Sequence, residues 1–278
     1  MITLHNRVAI LLVCICLGAC KSCEPEMPKG CSPHGVGSPP IGSRDHLATS
    51  VGLNMLPVLA GVFQLGTEGH PTWENPHRVT ITHDYWIAET EVTQQQWEKV
   101  MGTQPWGHSG PIGDDSPATG ITWHDANEFC KGLDRRERSL GNIPAGYVIA
   151  LPSEAEWEIA CRAGSASAFH FGDDISSLSE YAVWRGNSDG RAAPVKSKTP
   201  NRYGIYDMHG NVWEWCADAF ADTPENAVDP IANEGAVRAV RGGAAAWEAK
   251  YCRSASRDCH GPTRAFVYVG FRPAVVRR

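Results

Sequence analysis

The sequence predicts an α+β fold. Three amphipathic segments open at recognisable helix caps, and they are followed by a long Gly- and Asn-rich stretch of short β-favouring pieces rather than by alternating strand and helix units. With 278 residues and a hydrophobic content of 42%, the chain has enough apolar sequence for one large core. Its formal charge of -6 is spread without an acidic or basic block, so nucleic acid is not an expected partner and electrostatics alone do not direct it to an anionic membrane surface.

Arg7 precedes an apolar run from Val8 to Ala19, which is shorter than the roughly 20 residues of a membrane-spanning helix and reads as a signal peptide over residues 1–19. Its exit, Leu17-Gly18-Ala19-Cys20, resembles the bacterial lipobox, so Cys20 is expected to carry a lipid anchor; the alternative is an ordinary signal cleaved after Ala19. Residues 20–54 are rich in Pro, Gly and Ser and are expected to form a flexible tether. The folded domain is assigned to residues 55–278. It opens with short strands around Val58, Val62, Phe63 and Leu65, then an alternating segment through Val79, Ile81, Tyr85 and Ile87.

Three capping boxes mark helix starts, because a hydroxyl residue and a Gln or acid three positions on satisfy each other's backbone donors. They are Thr93 with Gln96, Thr122 with Asp125, and Ser153 with Glu156. The runs they open place Trp97 and Met101, then Ala126, Phe129 and Leu133, then Trp157, Ile159 and Ala160 on core-facing stripes. Beyond Gly164, Val237 to Arg241 and Ala265 to Val269 favour strand. Of the ten cysteines, Cys14 and Cys16 lie in the signal and Cys20 at the lipobox; Cys23, Cys31, Cys130, Cys161, Cys216, Cys252 and Cys259 remain, an odd number. None has zinc or redox spacing, and the apolar neighbours of Cys130, Cys161 and Cys216 predict simple burial.

Several long motifs carry a family resemblance. They are Gly61-Val62-Phe63-Gln64-Leu65-Gly66, Glu91 to Trp97, Leu151 to Glu158, Tyr203 to Trp215, Arg241-Gly242-Gly243 and Gly270-Phe271-Arg272. In this order the chain resembles the formylglycine-generating enzyme, or sulfatase-modifying factor, family from about residue 55 to 273. The resemblance implies that family's C-type lectin-like, loop-rich fold. It also implies copper chemistry on two cysteines five apart, since soft thiolates suit Cu(I). Here the second position is Cys252 but the first is Trp247, so the pair is incomplete, no catalytic residue is assigned and no cofactor is required. Asp207, Gly210, Val212 and Glu214 match the positions at which the family binds calcium, which implies a structural calcium ion on hard oxygen ligands.

From Arg238 onward, fixed-looking landmarks alternate with residues that share no hydrophobic period, as expected of functional loops on a rigid frame. The arrangement is similar to proteins diversified by retroelements, whose variable region forms the carboxy-terminal part of a C-type lectin domain, here about residues 238–278. The resemblance places a ligand-binding patch on Ala244, Ala245, Ala246, Trp247, Glu248, Ala249, Ser256, Asp258, Cys259, His260, Phe266 and Tyr268, with Ala265 and Val267 also in variable slots. Aromatic rings offer contact area at low entropic cost. The sequence therefore predicts an exported protein, bound to the membrane through its lipid anchor and displayed on the outer membrane at the cell surface, that binds an extracellular protein or glycan. The alternatives are a copper- and oxygen-dependent oxidase and a fixed structural envelope lipoprotein.

Overall fold

The computed structural model describes residues 45–69, 72–107, 112–222 and 226–278; the signal peptide, Cys20, Cys23, Cys31 and the tether up to residue 44 lie outside the described residues. In chain order the amino-terminal half contains β1 (Leu47–Ala48), β2 (Asn54–Val58), β3 (Gly61–Leu65), β4 (His77–Ile81), β5 (Tyr85–Ala88), α1 (Gln94–Met101), α2 (Trp123–Ser139), β6 (Val148–Ala150) and α3 (Glu154–Arg162). The carboxy-terminal half contains α4 (Leu178–Tyr181), β7 (Trp213–Ala219), β8 (Ala227–Val228), β9 (Arg238–Arg241), β10 (Arg257–His260), β11 (Val269–Gly270) and β12 (Ala274–Val276). The architecture is mixed α+β, as the order of sequence signals predicts.

All three capping boxes form, with the side chains of Thr93, Thr122 and Ser153 accepting from the backbone N–H three residues on and that residue's side chain returning the bond. The domain starts earlier than residue 55. Leu47 and Ala48 pair with Met55 and Asn54, and Val51 and Leu53 are buried in the core between them. Two buried apolar residues inside a polar-looking segment are too few to make a visible period. The predicted strand over Ala265 to Val269 also shrinks to Val269–Gly270, because the chain turns at Phe266, whose carbonyl accepts from Gly120 and Val269.

The largest sheet runs β1-β2-β5-β12-β6 and is antiparallel throughout. Its fourth strand comes from the far end of the chain: Ala274 faces Ile87 on one side and Ala150 on the other. A second sheet runs β10-β9-β7-β11, with β11 parallel to β7, and a third runs β3-β4-β8. Between the helices and the first two sheets lies an aromatic core in which Trp97 stacks on Phe129 at 5.6 Å and Phe271 meets Phe129 edge-on at 5.2 Å. A second core gathers Trp157, Tyr85, Ile87 and Ile159.

Between these cores the long loops are tied by buried guanidiniums. Arg272 and Glu214 are both fully buried and form a bidentate pair at 2.7 and 2.8 Å, with Trp157 Nε1 donating to the same carboxylate at 2.8 Å. Arg241 pairs with Glu158 and donates to the carbonyls of Ser254, Ala255 and Ser256. Arg257 holds Glu154, Arg253 holds Glu74, and Arg162 shares Glu158. Burial would raise the Glu158 carboxyl, but Arg241 and Arg162 outweigh it and hold it down to about 2. Removing one partner of such a pair leaves an uncompensated charge in the core. Glu214→Ala should therefore lower unfolding stability by about 3–5 kcal/mol in chemical denaturation, while Lys131→Ala, which removes an exposed helix pair with Glu128, should leave the midpoint unchanged. A loss below 1 kcal/mol for Glu214→Ala would show that the pair does not hold the fold.

Candidate functional site

The candidate surface starts where β9 ends. Gly242 and Gly243 take φ values of +96° and +77°, and a Cβ on Gly243 would sit 2.8 Å from the Tyr251 carbonyl oxygen, so only glycine permits the turn that sends the chain out of the sheet. The next residues are pinned by backbone bonds: Ala245 N–H to Asn211, Trp247 N–H to Ala244, and Arg185 N–H to the Trp247 carbonyl. The chain then passes through a 3-10 turn at Ala249–Cys252 into β10, which pairs with β9 as an edge strand, and returns through Phe266 to β11.

This path gathers the aromatic side chains. Trp247 and Tyr268 lie 4.5 Å apart between ring centroids, Phe266 and Tyr268 5.1 Å, and His260 and Phe266 4.4 Å, forming a continuous half-exposed cluster. Core rings stand behind it, with Trp213 edge-on to Trp247 at 6.3 Å and Trp215 edge-on to His260 at 6.1 Å. The cluster is thus fixed from below and open from above, an arrangement that loses little entropy on contact with a ligand. Polar groups border it: exposed Glu248 with Lys250 at 3.0 Å and Arg185 at 3.6 Å, and half-buried Asp258. Burial lowers the pKa of the His260 imidazole, with Asp258 opposing and Arg264 adding to the shift.

The expected patch is narrower than the sequence reading drew it. Ala244, Ala245, Ala249 and Ser256 are buried, because the turn after Gly243 and the pairing of β10 with β9 direct them inward. Ala246 and Glu248 are exposed, and Trp247, Asp258, Cys259, His260, Phe266 and Tyr268 are half-buried, with exposed Ala265 and Val267 between the last two. Arg185 was not expected; it reaches Glu248 from a loop some sixty residues earlier in the chain, and no local pattern announces such a contact.

Cys252 lies inside, packed with Phe169, Leu178, Ala182 and Ala249, and burial with a smaller contribution from Cys161 pushes its thiol up to about 12. All five cysteines among the described residues are free thiols.

At the positions to which the resemblance assigns calcium, the two acidic side chains already have protein partners. Both oxygens of Glu214 are engaged by Arg272, and one also by Trp157, so a guanidinium supplies the positive charge assigned to the ion. Asp207 accepts from Lys196 N–H at 2.9 Å, and burial raises its carboxyl to about 6. Glu91 beside it is also raised well above the usual range, by burial and by Asp207. Gly210, which the resemblance with Val212 assigns to backbone-carbonyl ligation, packs against Val183. Among the described residues no group of three or more His, Cys, Asp or Glu side chains is placed to hold a metal. Because Arg272 already neutralises Glu214, millimolar calcium or EDTA should leave the melting temperature unchanged; a rise of several degrees with calcium would show the site that the resemblance implies.

With this geometry in place, the comparisons are informative. Residues 47–277 match the model of the sulfatase-modifying factor enzyme 1-like domain. The chain is 31% identical over 205 residues to the formylglycine-generating enzyme of Thermomonospora curvata, covering 64% of this chain and 63% of that one. To the formylglycine-generating enzyme of Streptomyces coelicolor it is 33% identical over 222 residues, covering 71% and 66%. The chain thus spans just under two thirds of the length of these relatives. Among solved structures it resembles Treponema denticola variable protein 1, with a TM-score of 0.75 and 30% identity over 84% of this chain and 99% of that one. It also resembles PvdO from Pseudomonas aeruginosa, with a TM-score of 0.70 and 27% identity over 83% and 97%.

Proposed function

The chain belongs to the sulfatase-modifying factor enzyme 1-like family, and from that premise we propose that it is a variable, ligand-binding protein of the family and not one of its oxidases. The observation that carries the reading is the half-exposed aromatic cluster of Trp247, Phe266, Tyr268 and His260, bordered by Asp258 and Glu248, on a segment whose frame is locked by buried Arg241, Arg257 and Arg272. Residues at the surface are free to change because the residues that hold the fold are elsewhere. The likeness to a Treponema variable protein over nearly all of that protein's length supports the same reading.

The proposed ligand is an extracellular protein or glycan, met by the rings and given direction by the acidic groups and Arg185. The proposed setting is a lipoprotein anchored through Cys20 and displayed at the cell surface. Against an oxidase stand Trp247 at the first copper position and the burial of Cys252.

Sequencing the coding region for residues 238–278 across isolates tests the proposal. Substitutions are expected at Ala246, Trp247, Glu248, Asp258, Cys259, His260, Phe266 and Tyr268, sparing buried Ala244, Ala245, Ala249 and Ser256 and the three arginines. An invariant segment overturns the reading in favour of a fixed envelope lipoprotein, and stoichiometric copper lost on Cys252→Ser overturns it in favour of an oxidase.

A further inference from the structure

A cavity of about 570 Å³ opens between the β3–β4 hairpin, the start of α3, the end of β7 and the segment from Ala227 to Ala232. It shares no lining residue with the aromatic cluster, since Trp247, Asp258, His260, Phe266 and Tyr268 are all absent from its walls. Its size falls among small-molecule sites. Leu65, Trp73, Val79, Ala155, Pro230 and Ile231 give it an apolar wall.

The charges within it do not balance. Six acidic residues line the cavity, Glu74, Glu154, Glu158, Asp218, Asp222 and Asp229, the last with its carboxylate held by Thr82, against Arg241, Arg257 and His77. Arg253 and Arg162, which pair with Glu74 and Glu158, bring the guanidinium count only to four. Glu154 and Glu158 are matched by Arg257 and Arg241. Asp218 is different. It is 7% exposed and accepts from Glu154 N–H at 2.9 Å and Ala232 N–H at 3.1 Å, yet among the described residues no Lys, Arg or His forms an ion pair with it, Arg278 acting on it only from a distance. Burial, with Glu154 adding to it, raises its carboxyl to about 7, as expected of a carboxylate short of a counter-charge.

We infer that this cavity binds a small organic cation, an ammonium or guanidinium carried on an apolar body, with the cation on Asp218 and the body against Trp73, Leu65 and Ile231. A buried carboxylate beside an apolar wall is stabilised most by a partner that brings both a full charge and hydrogen-bond donors while its remainder covers the hydrophobic surface. A bare metal ion does not meet this description, because the two backbone N–H groups on Asp218 present hydrogens, not ligand oxygens, and no metal-holding group of side chains is found among the described residues. The half-exposed indole of Trp73 adds a ring face to the wall, suited to a cationic or aromatic guest.

Calorimetric titration of the whole exported chain with phenethylammonium, and in parallel with the neutral 2-phenylethanol, tests the assignment. Phenethylammonium should bind saturably and at least tenfold more tightly than the alcohol. Asp218→Asn should abolish that preference. Ile231→Trp, which fills the chamber from its apolar wall and leaves the carboxylate in place, should abolish binding of both, and it keeps the test valid if Asp218→Asn proves poorly folded. Trp247→Ala and Phe266→Ala should change neither titration, so the outcome does not depend on the surface-patch proposal. Equal affinity for amine and alcohol, no saturable binding of the amine at millimolar concentration, or binding unaffected by Ile231→Trp overturns the inference.

Discussion

The structure depends above all on charge buried with its partner. Long loops cannot satisfy their own backbone, and a domain with strands of two to seven residues has little ladder in which to store its hydrogen bonds. Arginine solves this locally, because a planar guanidinium offers five donors in a fixed fork. Arg241 uses that fork to join three successive carbonyls to a carboxylate on α3, and Arg272 joins the Ala88 and Tyr206 carbonyls to Glu214 on β7. Each pair works only as a pair, so the frame is a set of mutual commitments between segments far apart in sequence.

This explains why the surface cluster stands where it does. β9, β10 and β11 are held by Arg241, Arg257 and the strand partners of β7, and the rings of Trp247, Phe266, Tyr268 and His260 rest on Trp213 and Trp215 from that same β7. The supports are buried and the contact groups are half-exposed. Frame and surface therefore alternate along one short stretch of chain, and the polar rim is completed by Arg185 from outside it.

Much of the fold was legible in the sequence where the signal is local. The caps at Thr93, Thr122 and Ser153 form as read, since both partners lie three residues apart, and Phe129 and Trp157 fill the cores to which their helical stripes point them. The site was legible only in part. Trp247, Phe266 and His260 were named from residue type and position, but the burial of Ala244, Ala245, Ala249 and Ser256 follows from a glycine turn and from strand pairing that residue type does not encode. Glu214 illustrates the same limit, because its pairing with Arg272, fifty-eight residues later, leaves no local mark in the sequence. The early start at Leu47 was hidden because β1 is two residues long.

The position of β12 carries a further consequence. It lies between β5 and β6 in the main sheet, and its neighbours in space are some 125 to 190 residues away in the chain. Pairings so distant in sequence form late, after the entropy of closing the intervening loops has been met. A ribosome that still holds the residues after Phe271 therefore holds a sheet in which β6 is separate from β5. A chain cut short anywhere in the stretch from Arg241 to Gly270 lacks the strand that joins β6 to the rest of the main sheet.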